Sequence, residues 1–240
     1  MLLTLSAVQM RAQEYDSPEY ISLGREKART KVVPYPTAEE AQRLGAGMVE
    51  SKFVRPIKEW TRTEEEDAVV FSSKYVIPFV WLSRMAILYV DEASGAYEVI
   101  INGKKVGYSA NAFTPAEFNV TKASKENVNT ISIRVLKDHF SRKMECFNEN
   151  TEPRIGEVFV MSQPMIRVRD ILHKTNVDMK SEYANVELGL VVKTETLNPK
   201  KARIHYELLA PDTTVVTYGH RDVTIGMREE DTIKFTAQIP

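Results

Sequence analysis

Hydrophobic and polar residues alternate along most of the chain after residue 50. The clearest case is the segment from Val186 to Val192, where every second residue is apolar, and residues 131–135 and 204–208 follow the same pattern. A period of two places one face of a strand in a core and leaves the other face toward solvent. Short strands with turn signals at intervals of about ten residues predict an all-β fold built from sandwiches.

The strongest local signal is a hairpin around Asn102 and Gly103. These two residues separate the apolar residues 99–101 from residues 104–106. Asparagine and glycine both tolerate a positive φ, which the two central positions of a type I′ turn require. The sequence therefore predicts two antiparallel strands joined by a two-residue turn.

Evidence for a helix is confined to one place. Thr37 and Glu40 have the spacing of a capping box, in which each side chain bonds the other residue's amide. The helical pattern continues to Leu44 and ends at Gly45. The sequence therefore predicts one short surface helix.

Composition and charge exclude several classes of protein. Hydrophobic residues make up 43% and charged residues 27% of the 240 residues, which is typical of a soluble globular protein of one or two domains. A formal net charge of −1 gives no electrostatic footprint for nucleic acid. No stretch approaches the ~20 apolar residues of a membrane span. The single cysteine, Cys146, excludes an internal disulfide and a zinc site of several cysteines.

Residues 1–17 have a different character from the rest of the chain. The apolar run over residues 2–8 is compatible with the end of a signal peptide and equally with a plain N-terminus. The first interpretation predicts a periplasmic or secreted protein.

A second boundary is expected at residues 162–164, where a proline separates two strand-like runs. The chain stops directly after the strand-like residues 233–239, which we interpret as a cut within a longer polypeptide.

Several segments, in this order, resemble glycoside hydrolase family 2. The sugar-binding domain of its β-galactosidases carries a stretch of the form NGkxVGYs…TPAEFdvT. The matching segments here are INGKKVGYS (101–109), FTPAEFNVT (113–121), ENVNTISIRV (126–135) and PMIRVRD (164–170), with weaker matches at 18–20, 25–36 and 75–79. The resemblance implies a jelly-roll, galactose-binding-like β-sandwich over residues 18–164. An immunoglobulin-like β-sandwich over residues 165–240 is expected to follow it.

The catalytic groups of this family are not expected in this chain. Retaining glycosidases need two carboxyl groups about 5–5.5 Å apart. The resemblance implies that both are glutamates on a (β/α)₈ barrel that follows the two sandwiches, and such a barrel takes ~250 residues. Since the chain has neither that length nor that pattern, we assign it no catalytic residue. The barrel is instead an expected partner within the same polypeptide.

One loop of the sugar-binding domain reaches the active site in this family. It has the form Y.eDqDmWr.sGi.RdV, and its aspartate contacts substrate and a monovalent cation. The corresponding residues here are 140–158, where Glu145 and Asn148 fall near the acidic positions. We take these two residues as candidates for the substrate rim. Asparagine can bond a sugar hydroxyl but brings no charge for a cation, so we predict no cofactor and no metal ligand. The alternative is a plain solvated loop.

The remaining chemistry-bearing side chains show no motif. The chain has four histidines, at His139, His173, His205 and His220. They lack ligand spacing, and we predict that they are surface residues of strands or loops. Trp60 and Trp81 could each stack on a pyranose ring. Trp81 lies in a strand-like run and is predicted to belong to the core instead.

The sequence is compatible with three hypotheses for the function. The leading hypothesis is the non-catalytic front part of an exported β-galactosidase-type glycosidase that handles carbohydrate. The second is a stand-alone carbohydrate-binding or interaction module of a surface polysaccharide-handling system. A free-standing enzyme with its site inside a sandwich has little support. The sequence leaves the sugar, the linkage and the oligomeric state open.

Overall fold

The computed structural model describes residues 17, 19–45, 51–141, 151–180 and 183–239. More than half of these residues lie in strands and the helical segments are short, which confirms the all-β prediction. The strands are β1 (Ser22–Leu23), β2 (Val54–Pro56), β3 (Thr61–Glu64), β4 (Ala68–Ile77), β5 (Met85–Val90), β6 (Tyr97–Ile101), β7 (Lys104–Ser109), β8 (Ala116–Asn119), β9 (Asn127–Leu136), β10 (Val158–Gln163), β11 (Ile166–Asp178), β12 (Tyr183–Thr194), β13 (Lys200–Leu209), β14 (Val215–Ile225) and β15 (Glu230–Ile239). The helices are α1 (Ala38–Leu44) and a 3-10 turn (Phe79–Trp81).

The chain divides into two compact units, with a boundary between Gln163 and Pro164. The second unit also takes in Arg29–Val32, which the sequence analysis assigned to the first domain. The guanidinium of Arg29 donates to the carbonyl oxygen of Arg169 (2.9 Å), and the amide of Thr30 donates to the carboxylate of Asp170 (3.4 Å). These four residues therefore belong with β11, although they lie far from it in sequence.

The first unit is a sandwich of two antiparallel sheets. A six-stranded sheet has the order β1-β7-β6-β9-β4-β3, and a four-stranded sheet has the order β2-β10-β5-β8. The alternating residues of β4, β6 and β9 supply one wall of the core, and β5, β8 and β10 supply the other. The alternation predicted over residues 131–135 is confirmed, since Ile131, Ile133 and Val135 are all buried.

The hairpin of β6 and β7 forms as predicted. Asn102 and Gly103 have φ values of 51° and 76°, and Ile101 pairs with Lys104 next to the turn. Further along β7, Gly107 faces the ring of Phe118 so closely that a Cβ at this position would overlap the ring. A glycine is therefore required here by packing rather than by its backbone angle.

Two local predictions concern the cap of helix α1 and the position of Trp81. Helix α1 begins after Thr37, whose hydroxyl accepts a hydrogen bond from the amide of Glu40 (3.2 Å), so this part of the predicted cap is confirmed. Trp81 is a core residue, with 3% of its surface exposed, as predicted. It lies in a 3-10 turn rather than in a strand, because Pro78 ends the extended run of β4.

The second unit contains five of the described strands. A three-stranded sheet has the order β11-β12-β15, and β13 pairs with β14 in a two-stranded sheet. Leu190 and Val192 of β12 pack with Ile204, Ile225 and Phe235 in a core that both sheets share. The alternation seen from Val186 to Val192 thus marks the inner face of β12. The immunoglobulin-like assignment remains a prediction.

Candidate functional site

The two predicted rim residues, Glu145 and Asn148, lie outside the described residues, as does Cys146. The described residues on both sides of positions 142–150 show how this segment is attached to the first unit. The preceding side is fixed by a buried histidine, and the following side by an exposed arginine that pairs with a half-buried glutamate.

His139 anchors the end that precedes residue 142. Its side chain is 3% exposed, so the prediction of a surface position is wrong for this histidine. Its Nε2 lies 2.7 Å from the hydroxyl of Tyr108 on β7, and its Nδ1 lies 2.9 Å from the hydroxyl of Ser141. Tyr108 in turn stacks on Tyr20, with ring centroids 5.5 Å apart. This cluster covers part of the outer face of the six-stranded sheet.

The hydrogen bonds of His139 define its tautomer. The backbone amide of Ser141 donates to Nδ1 (3.1 Å), and an amide can only donate. Nδ1 must therefore be an unprotonated acceptor, and Nε2 carries the proton and donates it to the oxygen of Tyr108. The neutral imidazole ties the start of the segment to β7.

Arg154 anchors the end that follows residue 150. Its guanidinium forms an ion pair with Glu92 and lies over the ring of Phe113 at 5.5 Å from the centroid. Its amide donates to the hydroxyl of Ser94 (2.9 Å), and the amide of Ser94 donates back to the carbonyl of Arg154 (3.0 Å). The residues between β5 and β6 therefore hold this end.

The same connection between β5 and β6 also reaches the first anchor. The carbonyl of Ala96 accepts a hydrogen bond from the amide of Leu136 (2.8 Å), and Phe140 packs against the apolar cluster that contains both residues. Gly156 lies against Glu92, where a Cβ would come within 2.6 Å of that side chain. The described residues on either side of positions 142–150 thus contact the same connection between β5 and β6.

Tyr89 and Asp91 lie at the start of this support. The hydroxyl of Tyr89 donates to the carboxylate of Asp91 (3.0 Å), and the Tyr89 ring stacks on Phe159. Burial, followed by the hydrogen bond to Asp91, raises the pKa of Tyr89 above its usual value. The Tyr89 hydroxyl therefore keeps its proton at neutral pH and donates it to Asp91.

The other candidate side chains are spread over both units. Trp60 is half-buried and donates from its indole to the carbonyl of Ile57 (3.2 Å). Burial leaves Trp81 no face for a sugar ring. His173 and the cross-strand neighbours His205 and His220 are exposed in the second unit. Within the described ranges, no three His, Cys, Asp or Glu side chains come together in a way that could hold a metal ion.

The sequence analysis missed the anchoring residues. Glu92 and Arg154 are about sixty positions apart, and no motif links them. The only signal for Arg154 was its position in the stretch similar to the family loop. His139 gave no signal because a histidine beside polar residues has the same pattern whether it is buried or exposed. The first unit is thus an antiparallel sandwich scaffold that holds the described residues on both sides of positions 142–150.

Comparisons with known proteins identify this scaffold. The sequence profile of "Glycosyl hydrolases family 2, sugar binding domain" matches residues 23–149, more than half of the chain. The chain therefore belongs to the sugar-binding domain family of the family 2 glycosyl hydrolases. Membership of this family implies an interaction with carbohydrate. The structure also has no helix, within the described residues, with the length and apolar character that a membrane crossing requires.

Beta-galactosidases are among the curated relatives of this chain. A beta-galactosidase of Priestia megaterium is 28% identical over 195 residues, covering 78% of this chain and 16% of the relative. A beta-galactosidase of Clostridium acetobutylicum is 33% identical over 104 residues, covering 42% of this chain and 12% of the relative. The chain thus spans less than a fifth of the length of these relatives.

Solved structures show the same fold at low identity. Bacteroides uniformis beta-glucuronidase 2 aligns with a TM-score of 0.64 and 18% identity, over 72% of this chain and 22% of that chain. Beta-D-mannosidase from Dictyoglomus thermophilum aligns with a TM-score of 0.57 and 14% identity, over 78% of this chain and 31% of that chain. These alignments support the fold alone.

Proposed function

We propose that this chain is the non-catalytic N-terminal portion of a β-galactosidase-type glycoside hydrolase. The full-length protein would hydrolyse terminal β-galactosides or related β-glycosides, with its paired carboxylates on a barrel of the same polypeptide. The observation that carries this proposal is the match to the family 2 sugar-binding domain. The name shared by the curated relatives, and the small share of each that the chain spans, support it.

The proposal predicts that the isolated 240-residue chain does not turn over an aryl β-galactoside. A two-sheet sandwich provides no barrel on which two carboxylates can be held at the separation that retention requires. The measurement is release of the aryl alcohol at several concentrations of purified chain, with a complete β-galactosidase assayed in parallel. A rate that rises in proportion to the chain concentration would contradict the proposal.

The second candidate is a stand-alone carbohydrate-binding module, which the presence of a sugar-binding family domain also favours. The two functions predict different reading frames for the gene. A reading frame that continues into a (β/α)₈ barrel supports the glycosidase, and a frame without one supports the module.

We propose further that Glu145 and Asn148 contact substrate at the rim of the active site. This proposal rests on their positions in the loop-like stretch and on the two anchors that hold its ends. In the full-length polypeptide, Asn148→Ala is expected to raise KM by about two- to tenfold, the effect of losing one hydrogen bond. Glu145→Gln is expected to raise KM within the same range, because it keeps an acceptor but removes the charge that strengthens the bond. Glu152→Gln, with an exposed carboxylate next to the same segment, is the matched control. Unchanged KM values for both variants would support a plain solvated loop.

We propose that the full-length protein is periplasmic or secreted, on the basis of the apolar run at residues 2–8. Expression of the gene with its natural N-terminus, followed by cell fractionation and mass measurement, tests this. The protein is expected outside the cytoplasm with residues at the N-terminus removed. Recovery of the unprocessed protein from the cytoplasm alone would contradict export.

A further inference from the structure

Two histidines that are distant in the sequence face each other on the hairpin of β13 and β14. His205 lies on β13 and His220 on β14, and the register of the two strands pairs them directly. Directly opposed residues of antiparallel strands have Cβ atoms about 4.5–5.5 Å apart. Two imidazole rings that start at this spacing can reach a common ion, although their spacing in the sequence matches no ligand motif.

Both rings lie on the outer face of this hairpin. The residues on either side of His205 point the other way, since Ile204 is buried and the ring of Tyr206 lies 4.5 Å from that of Phe235. The side chain of His205 is 53% exposed, and His220 is exposed as well. An ion can therefore reach the pair from solvent, and both rings belong to a single hairpin.

His205 already makes the hydrogen bond that is typical of a metal ligand. Its Nε2 lies 3.0 Å from the carboxylate oxygen Oε1 of Glu207. An ionised carboxylate can only accept, so in the neutral ring Nε2 carries the proton and Nδ1 keeps its lone pair. A histidine that binds a metal almost always donates its other N–H to a carboxylate, a carbonyl or water, which fixes the ring. Glu207 supplies this second contact.

The surrounding charges favour a cation at the pair. Arg203 donates from Nε and Nη2 to the carboxylate of Asp222 (2.7 and 2.9 Å), so these two charges offset each other. Glu207 then adds a negative charge beside the histidines. Within the described residues, neither Nδ1 of His205 nor either ring nitrogen of His220 makes a hydrogen bond. These nitrogens are therefore available as ligands.

We propose that His205 and His220 together bind one divalent transition-metal ion of the Zn²⁺ class, with Glu207 as the positioning residue behind His205. The described part of the chain gathers no set of three ligands, so water completes the coordination shell. Imidazole nitrogen suits Zn²⁺, Cu²⁺ and Ni²⁺, whereas Ca²⁺ and Mg²⁺ take oxygen ligands. The site is therefore selective for the first group of ions.

Isothermal titration of the untagged 240-residue chain with ZnCl₂ tests the site, in a Cys146→Ser background that removes the thiol. One ion should bind per chain. His205→Gln and His220→Gln should each lower the affinity about tenfold or more, because a single imidazole cannot chelate the ion. His173→Gln is the matched control, since this exposed histidine lies opposite Leu188 on β12. Its affinity for Zn²⁺ should equal that of the background chain.

Nitrogen-15 NMR of the histidine rings tests the shared ion and the role of Glu207. Zn²⁺ should shift the ring signals of His205 and His220 together, bind His205 through Nδ1, and leave His173 unchanged, and a large excess of Mg²⁺ should not reverse these shifts. Glu207→Gln should weaken binding several-fold, because it removes the charge behind Nε2.

Three results would overturn the shared site: no saturable binding at millimolar Zn²⁺, unchanged affinity in both His205→Gln and His220→Gln, or shifts confined to one of the two rings. Binding of His205 through Nε2 would overturn the positioning role of Glu207. Displacement of Zn²⁺ by Mg²⁺ would overturn the assigned class of ion.

Discussion

Replacing Phe118 with alanine is expected to lower the free energy of unfolding of the first unit by about 3–5 kcal/mol. The Phe118 ring is fully buried, meets Tyr97 edge-to-face at 6.2 Å between centroids, and fills the space above Gly107. Its removal leaves a cavity that both sheets border and that neither can close without moving its backbone. Both tryptophans of the chain, Trp60 and Trp81, lie in the first unit, so urea unfolding followed by tryptophan fluorescence reports on that unit.

Phe79→Ala is the matched control for this experiment. Phe79 has the same side chain but is 72% exposed, and its loss should change the stability by less than about 0.5 kcal/mol. Equal effects of the two substitutions would contradict the burial of Phe118 in the core of the first unit.

Replacing His139 with alanine is expected to cost the first unit about 2–3 kcal/mol. The substitution removes the acceptor of the Ser141 amide and the partner of the Tyr108 hydroxyl, both of which are buried. Buried polar groups without a partner lose their hydration without compensation. The measurement is again urea unfolding followed by tryptophan fluorescence.

Two further variants isolate the contribution of the His139–Tyr108 contact. Tyr108→Phe removes the hydroxyl alone and should cost about 1 kcal/mol. The double variant should be less destabilised than the sum of the two single variants, because both remove the same hydrogen bond. Lys104→Ala, at an exposed position on β7 of the first unit, should leave the stability of that unit nearly unchanged. Additive effects of His139→Ala and Tyr108→Phe would contradict the contact.

The strands and the hairpin could be predicted because their signals are local. The alternation around Ile133 and Leu190 depends only on the two-residue period of a strand, and the turn at Asn102 and Gly103 depends only on which residues accept a positive φ. Trp81 is a case in which the local signal predicted burial correctly but predicted the wrong secondary structure. The pattern placed it in a strand, but Pro78 turns the chain there, and only its burial was predicted correctly.

The candidate site could be predicted only as a stretch of sequence. Its anchors are contacts between distant residues, such as Arg154 with Glu92 and His139 with Tyr108. Their formation depends on how the connection between β5 and β6 folds against the segments on either side of residues 142–150. A single sequence does not record which of its many charged and polar side chains meet across such distances.

The sequence by itself determined the all-β class, the period-two faces of the strands, the type of the hairpin turn and the likeness to family 2. Each of these follows from neighbouring residues or from the order of short motifs. Only the tertiary structure decided that His139 is buried and neutral and that Arg29–Val32 belong to the second unit. These properties depend on which strands pair and which surfaces remain uncovered, and strand pairing is set by the packing of the whole sheet.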